Sequence, residues 1–124
     1  MQISVIIPNW NGLKFIGMWL DSLNQSDFYS YEIIVIDNGS VDGSREMIEK
    51  DYPLVHLIKN PKNMGFAVAC NQGIKAAKGK YISLLNNDIE VESNWLTNLY
   101  EGMERHPECG MGTTKMMFLD QRDV

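Results

Sequence analysis

The sequence predicts an α/β fold, a mostly parallel sheet with helices on both faces and right-handed crossovers. Three observations predict it. β-branched runs alternate with helix-like segments along all 124 residues. No low-complexity linker interrupts them, so the chain reads as a single domain, 1–124. Each strand-like run ends in a polar turn: Pro8-Asn9-Trp10-Asn11-Gly12, Asp37-Asn38-Gly39-Ser40, Asn60 to Phe66, and Asn86-Asn87-Asp88.

The elements follow in order. Ile3–Pro8 is a β-branched run closed by proline. Gly12–Gln25 sets Leu13, Ile16, Leu20 and Leu23 on one helical face, with Trp19 as packing. Glu32–Asp37 is a second buried strand, and Ser40–Lys50 a short polar helix with Ser40 or Asp42 as its cap. Leu54–Lys59 alternates and sits near an edge. Gly65–Lys78 is a helix presenting Phe66, Cys70, Ile74 and Ala77, with Gly79 as a left-handed terminator. Lys80–Leu85 has the length and apolar content of a strand buried on both faces. Ser93 can cap a last helix carrying Leu96, Leu99, Tyr100 and Met103, which His106-Pro107 ends. Gly110–Leu119 is a candidate fifth strand.

Composition narrows the classes. A hydrophobic fraction of 44% with 22% charged residues is that of a folded globular domain. The net charge of −5, with no basic stripe, argues against nucleic acid as a partner. Cys70 and Cys109 have no metal-like spacing and read as small buried hydrophobes in a reducing compartment. No secretory leader opens the sequence and no apolar run is long enough to span a bilayer. The expected location is the cytoplasm, at the inner face of the cell membrane if the parent protein is membrane-attached.

The most informative stretch is Tyr81–Val91, YISLLNNDIEV. Asp88 follows an apolar strand, at the carboxyl edge where open α/β sheets bind ligands. A carboxylate flanked by amides can hold a divalent cation through oxygen, which points to an anionic ligand such as a nucleotide diphosphate. Asp37 also closes an apolar strand. It is either a turn-former or a contact to a base or ribose. Gly65 opens a helix whose free N–H groups favour an anion, and Lys62 either adds charge beside a phosphate or stands in solvent. Asn63 is a candidate helix cap, and Asn71, inside the helix, either bonds to a neighbouring loop or is exposed. Trp10 can stack on a base or sugar. The first turn lacks GxGxxG and no GxxxxGK[ST] loop exists, which excludes a strict dinucleotide fold and a P-loop NTPase.

Taken in order, SVIIPNWNG, IIVIDNGSVDGS, NMGFAVACNQGIKAAKG, YISLLNNDIEV and SNWL resemble the inverting family-2 glycosyltransferases with the Rossmann-like GT-A fold, over nearly the whole chain. The resemblance implies a site for a nucleotide-diphosphate sugar, UDP-, dTDP- or GDP-linked. It puts Asp37 at the base, Pro8, Asn9, Trp10 and Asn11 along the nucleotide pocket, and Asn63, Gly65 and Phe66 near base and ribose. Asn38, Lys62 and Asn71 complete the candidate set. The family's Asp-x-Asp metal motif falls on Asn86-Asn87-Asp88, so Asp88 is the metal ligand, for Mg²⁺ or Mn²⁺. Asn86 replaces the first aspartate. Two unit charges about 4 Å apart attract by roughly 4 kcal/mol at an effective dielectric of about 20, so the missing carboxylate weakens cation binding without nucleotide.

The reaction the resemblance implies is a single displacement by an acceptor hydroxyl, with inversion, in bacterial cell-surface polysaccharide synthesis. Its general base is an acidic residue expected beyond Val124, in a half that also binds a glycan or lipid-linked acceptor. The chain is therefore expected to be the donor-binding N-terminal portion of a larger enzyme. The alternatives are a nucleotide-sugar-binding module without turnover, and an assembly unit that forms a homodimer through the sheet edge or the tail Met111–Leu119, with its apolar cluster Met116, Met117, Phe118 and Leu119.

Overall fold

The structure, a computed structural model, describes residues 1–87 and 89–112. Strands and helices alternate as β1 (Ile3–Asn9), α1 (Leu13–Asn24), β2 (Tyr31–Asn38), α2 (Ser44–Asp51), β3 (His56–Asn60), α3 (Phe66–Ala76), β4 (Tyr81–Leu84) and α4 (Trp95–Arg105). All strand pairs are parallel, in the order β3-β2-β1-β4. The chain therefore winds outward from β1 through β2 to β3, then crosses to the other side of β1. That reversal is a topological switch point, and the carboxyl ends of β1 and β4 flank it.

Strand period sorts the core onto two faces. Ile3, Val5, Ile7, Ile33 and Val35 pack with Ile16, Trp19, Leu20 and Leu23 of α1, Ile48 of α2 and Leu96 of α4. Ile6, Ile34 and Ile36 point the other way, onto Ala69 of α3. The α/β expectation, with helices on both faces, holds.

Several local expectations do not. Leu13 is largely exposed, and Trp19 takes its place in the buried stripe of α1. α2 begins at Ser44, after Gly43 at φ 91°, and Ser40 and Asp42 serve loop contacts instead of a long helix. Leu54 is 98% exposed and β3 starts only at His56, because a turn closed by the Val55 N–H on the Tyr52 carbonyl occupies Tyr52–Val55. The buried face of α3 is Ala69, Cys70 and Gly73, while Phe66 and Ile74 face outward. The reason is close approach: a Cβ on Gly73 would overlap the Ile6 and Ile36 side chains, so only small residues let the helix sit this low. Gly79 does not adopt a left-handed conformation; a Cβ there would lie 2.6 Å from the Ser4 nitrogen, and Ala77 turns extended to end α3. Asn94, not Ser93, stands at the start of α4, and the Ser93 carbonyl accepts from the Asp27 N–H instead. Cys109 is exposed, unlike the buried Cys70. β4 is an edge among the described residues, with Ile82 and Leu84 44% and 47% exposed because α3 covers β1 and β2 rather than β4. Most of the expected fifth strand lies outside the described residues.

Tyr52 joins α2 to α1. Its hydroxyl lies 2.6 Å from Asp21 Oδ1 and 3.0 Å from the Gly17 carbonyl. Burial, the Asp21 hydrogen bond and the charges of Asp21 and Asp51 push its pKa up to about 12. Folding thus favours the protonated phenol. The stabilisation is complete below the unfolded value near 10 and is lost as pH rises through about 12. Denaturant unfolding between pH 9 and 12 is expected to show a smaller alkaline loss for Tyr52→Phe than for the parent chain. Tyr31, raised in the same direction by burial, supplies a remaining slope.

Candidate functional site

The carboxyl edge of the sheet ends in a row of amides and one acid. Asn9 is in register with Asp37, and Asn38 with Asn60. Neighbouring residues of a strand point to opposite faces, so Asp37 continues the side of Val35 and Asn38 the side of Ile36. Two hydrogen-bond networks result, one on each face.

On the α1/α2 side, Asn9 Nδ2 donates to Asp37 Oδ1 at 3.1 Å and to Ser44 Oγ at 3.0 Å. Asp37 Oδ2 accepts from the Ser40 N–H at 3.0 Å. Ser40 Oγ accepts from the Asn11 N–H at 2.9 Å, and Asn11, at φ 51°, accepts from the Val41 N–H through Oδ1. Asp42 then bridges the starts of both helices, accepting from the Leu13 and Ser44 N–H groups. Burial pushes the Asp42 carboxyl upward, but hydrogen bonds from Ser44 and Leu13 outweigh it and hold the group below its ordinary value. Across the switch point, Asn87 Nδ2 donates to Asn9 Oδ1 at 2.8 Å. That bond ties the loop after β4 to the end of β1.

On the α3 side, Asn38 Oδ1 accepts from Asn60 Nδ2 at 3.0 Å and from the Met64 N–H at 3.3 Å, while Asn38 Nδ2 donates to the Gly65 carbonyl at 3.2 Å. Asn60 and Gln72 exchange two further bonds, 2.8 and 2.9 Å long. Gly39, at φ 76°, lets the loop after β3 close over the end of β2, since a Cβ would lie 2.7 Å from Lys62 Cα.

Between the networks opens a cleft of about 280 Å³ lined by Pro8, Asn9, Trp10, Asn38, Asn63, Phe66, Asn86 and Asn87. Its floor is amide and its rim aromatic: Trp10 and Phe66 are 56% and 58% exposed. Every lining side chain is uncharged. Such a cleft can bond neutral polar edges and stack a flat ring.

Eight of the sequence-derived candidates thus converge. Five do not line the cleft. Asp37 is completely buried with both oxygens engaged, and it acts on the cleft through Asn9. Asn11 and Gly65 serve as backbone supports. Lys62 meets Gly39 through its backbone, and Asn71 is exposed on α3. Asp88 lies outside the described residues, among which no cluster of three acidic, His or Cys side chains could hold a metal. Ser44 and Gln72 are supports that sequence reasoning missed, while Gly12 and Asn60 stood in the polar turns without being singled out. The signal was there for Asn60, which ends its strand as Asn9 and Asn38 end theirs.

Residues 4–118 match the family described as glycosyl transferase family 2. The chain belongs to that family. Among the relatives, the putative teichuronic acid biosynthesis glycosyltransferase TuaG of Bacillus subtilis is 30% identical over 82% of this chain and 41% of its own length. S. aureus TarS in complex with UDP-GlcNAc superposes with a TM-score of 0.79 at 25% identity, over 96% of this chain and 38% of that one. The mannosyltransferase PcManGT of Pyrobaculum calidifontis, in complex with GDP-Man and Mn²⁺, shares the fold with a TM-score of 0.74 at 24% identity, over 82% of this chain and 32% of that one. The sheet and its helices are thus those of the GT-A fold of the family-2 glycosyltransferases. The chain spans less than half the length of the relatives it matches.

Proposed function

We propose that this chain holds the nucleotide-diphosphate sugar in an enzyme that transfers the sugar to an acceptor hydroxyl with inversion. The observation that carries the reading is the amide-floored, aromatic-rimmed cleft at the switch point between β1 and β4. Trp10 and Phe66 stack against base or ribose, and Asn38 takes the base-side contact, while Asp37 is buried behind Asn9. Binding of UDP-GlcNAc by TarS and of GDP-Man by PcManGT supports a UDP-, dTDP- or GDP-linked donor.

A divalent cation, Mg²⁺ or Mn²⁺, fits the donor set at the end of β4. Asn87 has turned its Nδ2 to Asn9, which leaves its oxygen as the acceptor end, and Asn86 lies beside it on the cleft. Both amide oxygens are hard ligands, and Asp88 supplies the charge. Asn86, Asn87 and Asp88 would hold the cation, which would supply positive charge to offset a diphosphate leaving group. The general base belongs to the acceptor-binding part of the whole enzyme, where a glycan or lipid-linked acceptor docks. Cell-surface polysaccharide synthesis is the setting, a reading supported by the likeness to TuaG, named for teichuronic acid biosynthesis. Because the chain spans less than half of its relatives, binding without turnover is the second reading for this chain alone.

Calorimetric titration with UDP, dTDP and GDP, with and without Mn²⁺, tests the reading. One of the three is expected to bind tighter with Mn²⁺, and Asp88→Ala is expected to remove that enhancement while leaving metal-free affinity within about twofold. Equal loss in both conditions would make Asp88 structural. No binding of any nucleotide would leave the assembly-unit reading.

A further inference from the structure

We propose that Asn60 and Gln72 are positioning residues that lock the Asn38 side chain with its amide N–H toward the cleft. The nucleoside is then read there by a neutral donor that demands an acceptor atom on the base edge. The proposal rests on the nucleotide reading above.

Main-chain groups set which way the Asn38 amide faces, and Asn60, itself gripped by Gln72, holds it there. The Met64 N–H can only donate, so the Asn38 atom that meets it is oxygen; the Gly65 carbonyl can only accept, so the atom that meets it carries protons. Asn60 must then offer Nδ2 to the Asn38 oxygen. Its own Oδ1 is thereby turned to Gln72 Nε2, and its second Nδ2 proton reaches Gln72 Oε1. Reversing any member would set oxygen against oxygen and nitrogen against nitrogen, in a place where Asn38 and Asn60 are 4% and 5% exposed.

The remaining capacity of Asn38 follows by counting. Both lone pairs of Oδ1 are used, by Asn60 and Met64, and one Nδ2 proton is used by Gly65. A single N–H is left, on a residue that lines the cleft. The base edge opposite must present a carbonyl oxygen or an unprotonated ring nitrogen. A carboxylate at this position could only accept, and would select the opposite pattern. Gln72 is the outermost clamp of the lock; it is half-buried on α3, so it can be altered without emptying the core.

NMR on the ¹⁵N-labelled chain with UDP–Mg²⁺ and with pyrophosphate–Mg²⁺ tests the assignment. Asn38, Asn60 and Gln72 side-chain amides are expected to resist exchange in the free protein, and UDP but not pyrophosphate is expected to shift the Asn38 amide protons. Gln72→Met keeps helix propensity and length. It is expected to weaken UDP binding about fivefold, the worth of one mispositioned hydrogen bond, with pyrophosphate affinity held within about twofold. Equal weakening of both ligands, no weakening of either, or UDP bound with the Asn38 amide unmoved would each overturn it. If neither ligand shifts any resonance, and GDP and dTDP in place of UDP shift none either, the nucleotide reading fails and takes this proposal with it.

Discussion

Asp37→Ala is expected to lower the unfolding free energy by about 3 kcal/mol. The side chain is completely buried, and two donors depend on it: Asn9 Nδ2 and the Ser40 N–H. Asn9 keeps Ser44 as a partner, so the orphan is the Ser40 N–H, in a turn that also supports Asn11. A buried donor left unpaired costs about 1–3 kcal/mol, and the loss of hydrogen bonds to a carboxyl adds to it. A domain of this size has roughly 5–15 kcal/mol in total, so urea unfolding will resolve the change as a lower midpoint at unchanged slope. Ser40→Ala, which removes only the hydroxyl, is expected to cost less. The opposite result, with stability kept and nucleotide affinity selectively lost, would return Asp37 to direct contact with the base.

Asp37 also shows how much of the site the sequence disclosed. The polar turns after the strands were legible because each apolar run closes on an ionisable or amide residue at the carboxyl edge of the sheet. Which of Asp37 and Asn38 lines the cleft was not read from residue type, where the charged one attracts attention. Strand alternation sets the two on opposite faces. Asp37 follows Val35 toward α1 and α2, and Asn38 follows Ile36 toward α3 and the cleft. The Asn60–Gln72 pair was hidden for another reason: it joins a strand end to the middle of a helix, and only the packing of α3 beside β3 brings the two amides together.

The fold was legible where burial is symmetrical. β1 and β2 are central, enclosed on both faces, and their continuous Ile and Val runs announce them. Edges were harder. Leu54 extends an apolar pattern but stands in solvent, because the turn before β3 fixes where pairing starts. In α3 the eye follows Phe66 and Ile74, yet the residues against the sheet are Ala69 and Gly73. Hydrophobicity names the face of a helix only when distance to the sheet is set by large side chains. Here the distance is set by a missing one.

Gly12→Ala is expected to reduce donor affinity at least about tenfold, with a stability loss of about 1–2 kcal/mol. Gly12 is not needed for its backbone freedom: φ −99° and ψ 22° are open to other residues. It is needed for space. A Cβ at this buried position would occupy the place where Asn87 Nδ2 meets Asn9 Oδ1. The hydrogen bond between the end of β1 and the loop after β4 has to part, and Asn86 and Asn87 leave the cleft with it. Gly43→Ala is the control. It strains a left-handed residue, φ 91°, but a Cβ there meets nothing within 4 Å. It is expected to cost about 1 kcal/mol of stability and no affinity. Calorimetry with the nucleotide that binds the parent chain, in parallel with denaturant unfolding, separates the two. If Gly12→Ala binds as tightly as Gly43→Ala, the Asn9–Asn87 bond does not hold the donor site, and the loop after β4 reaches the diphosphate without it.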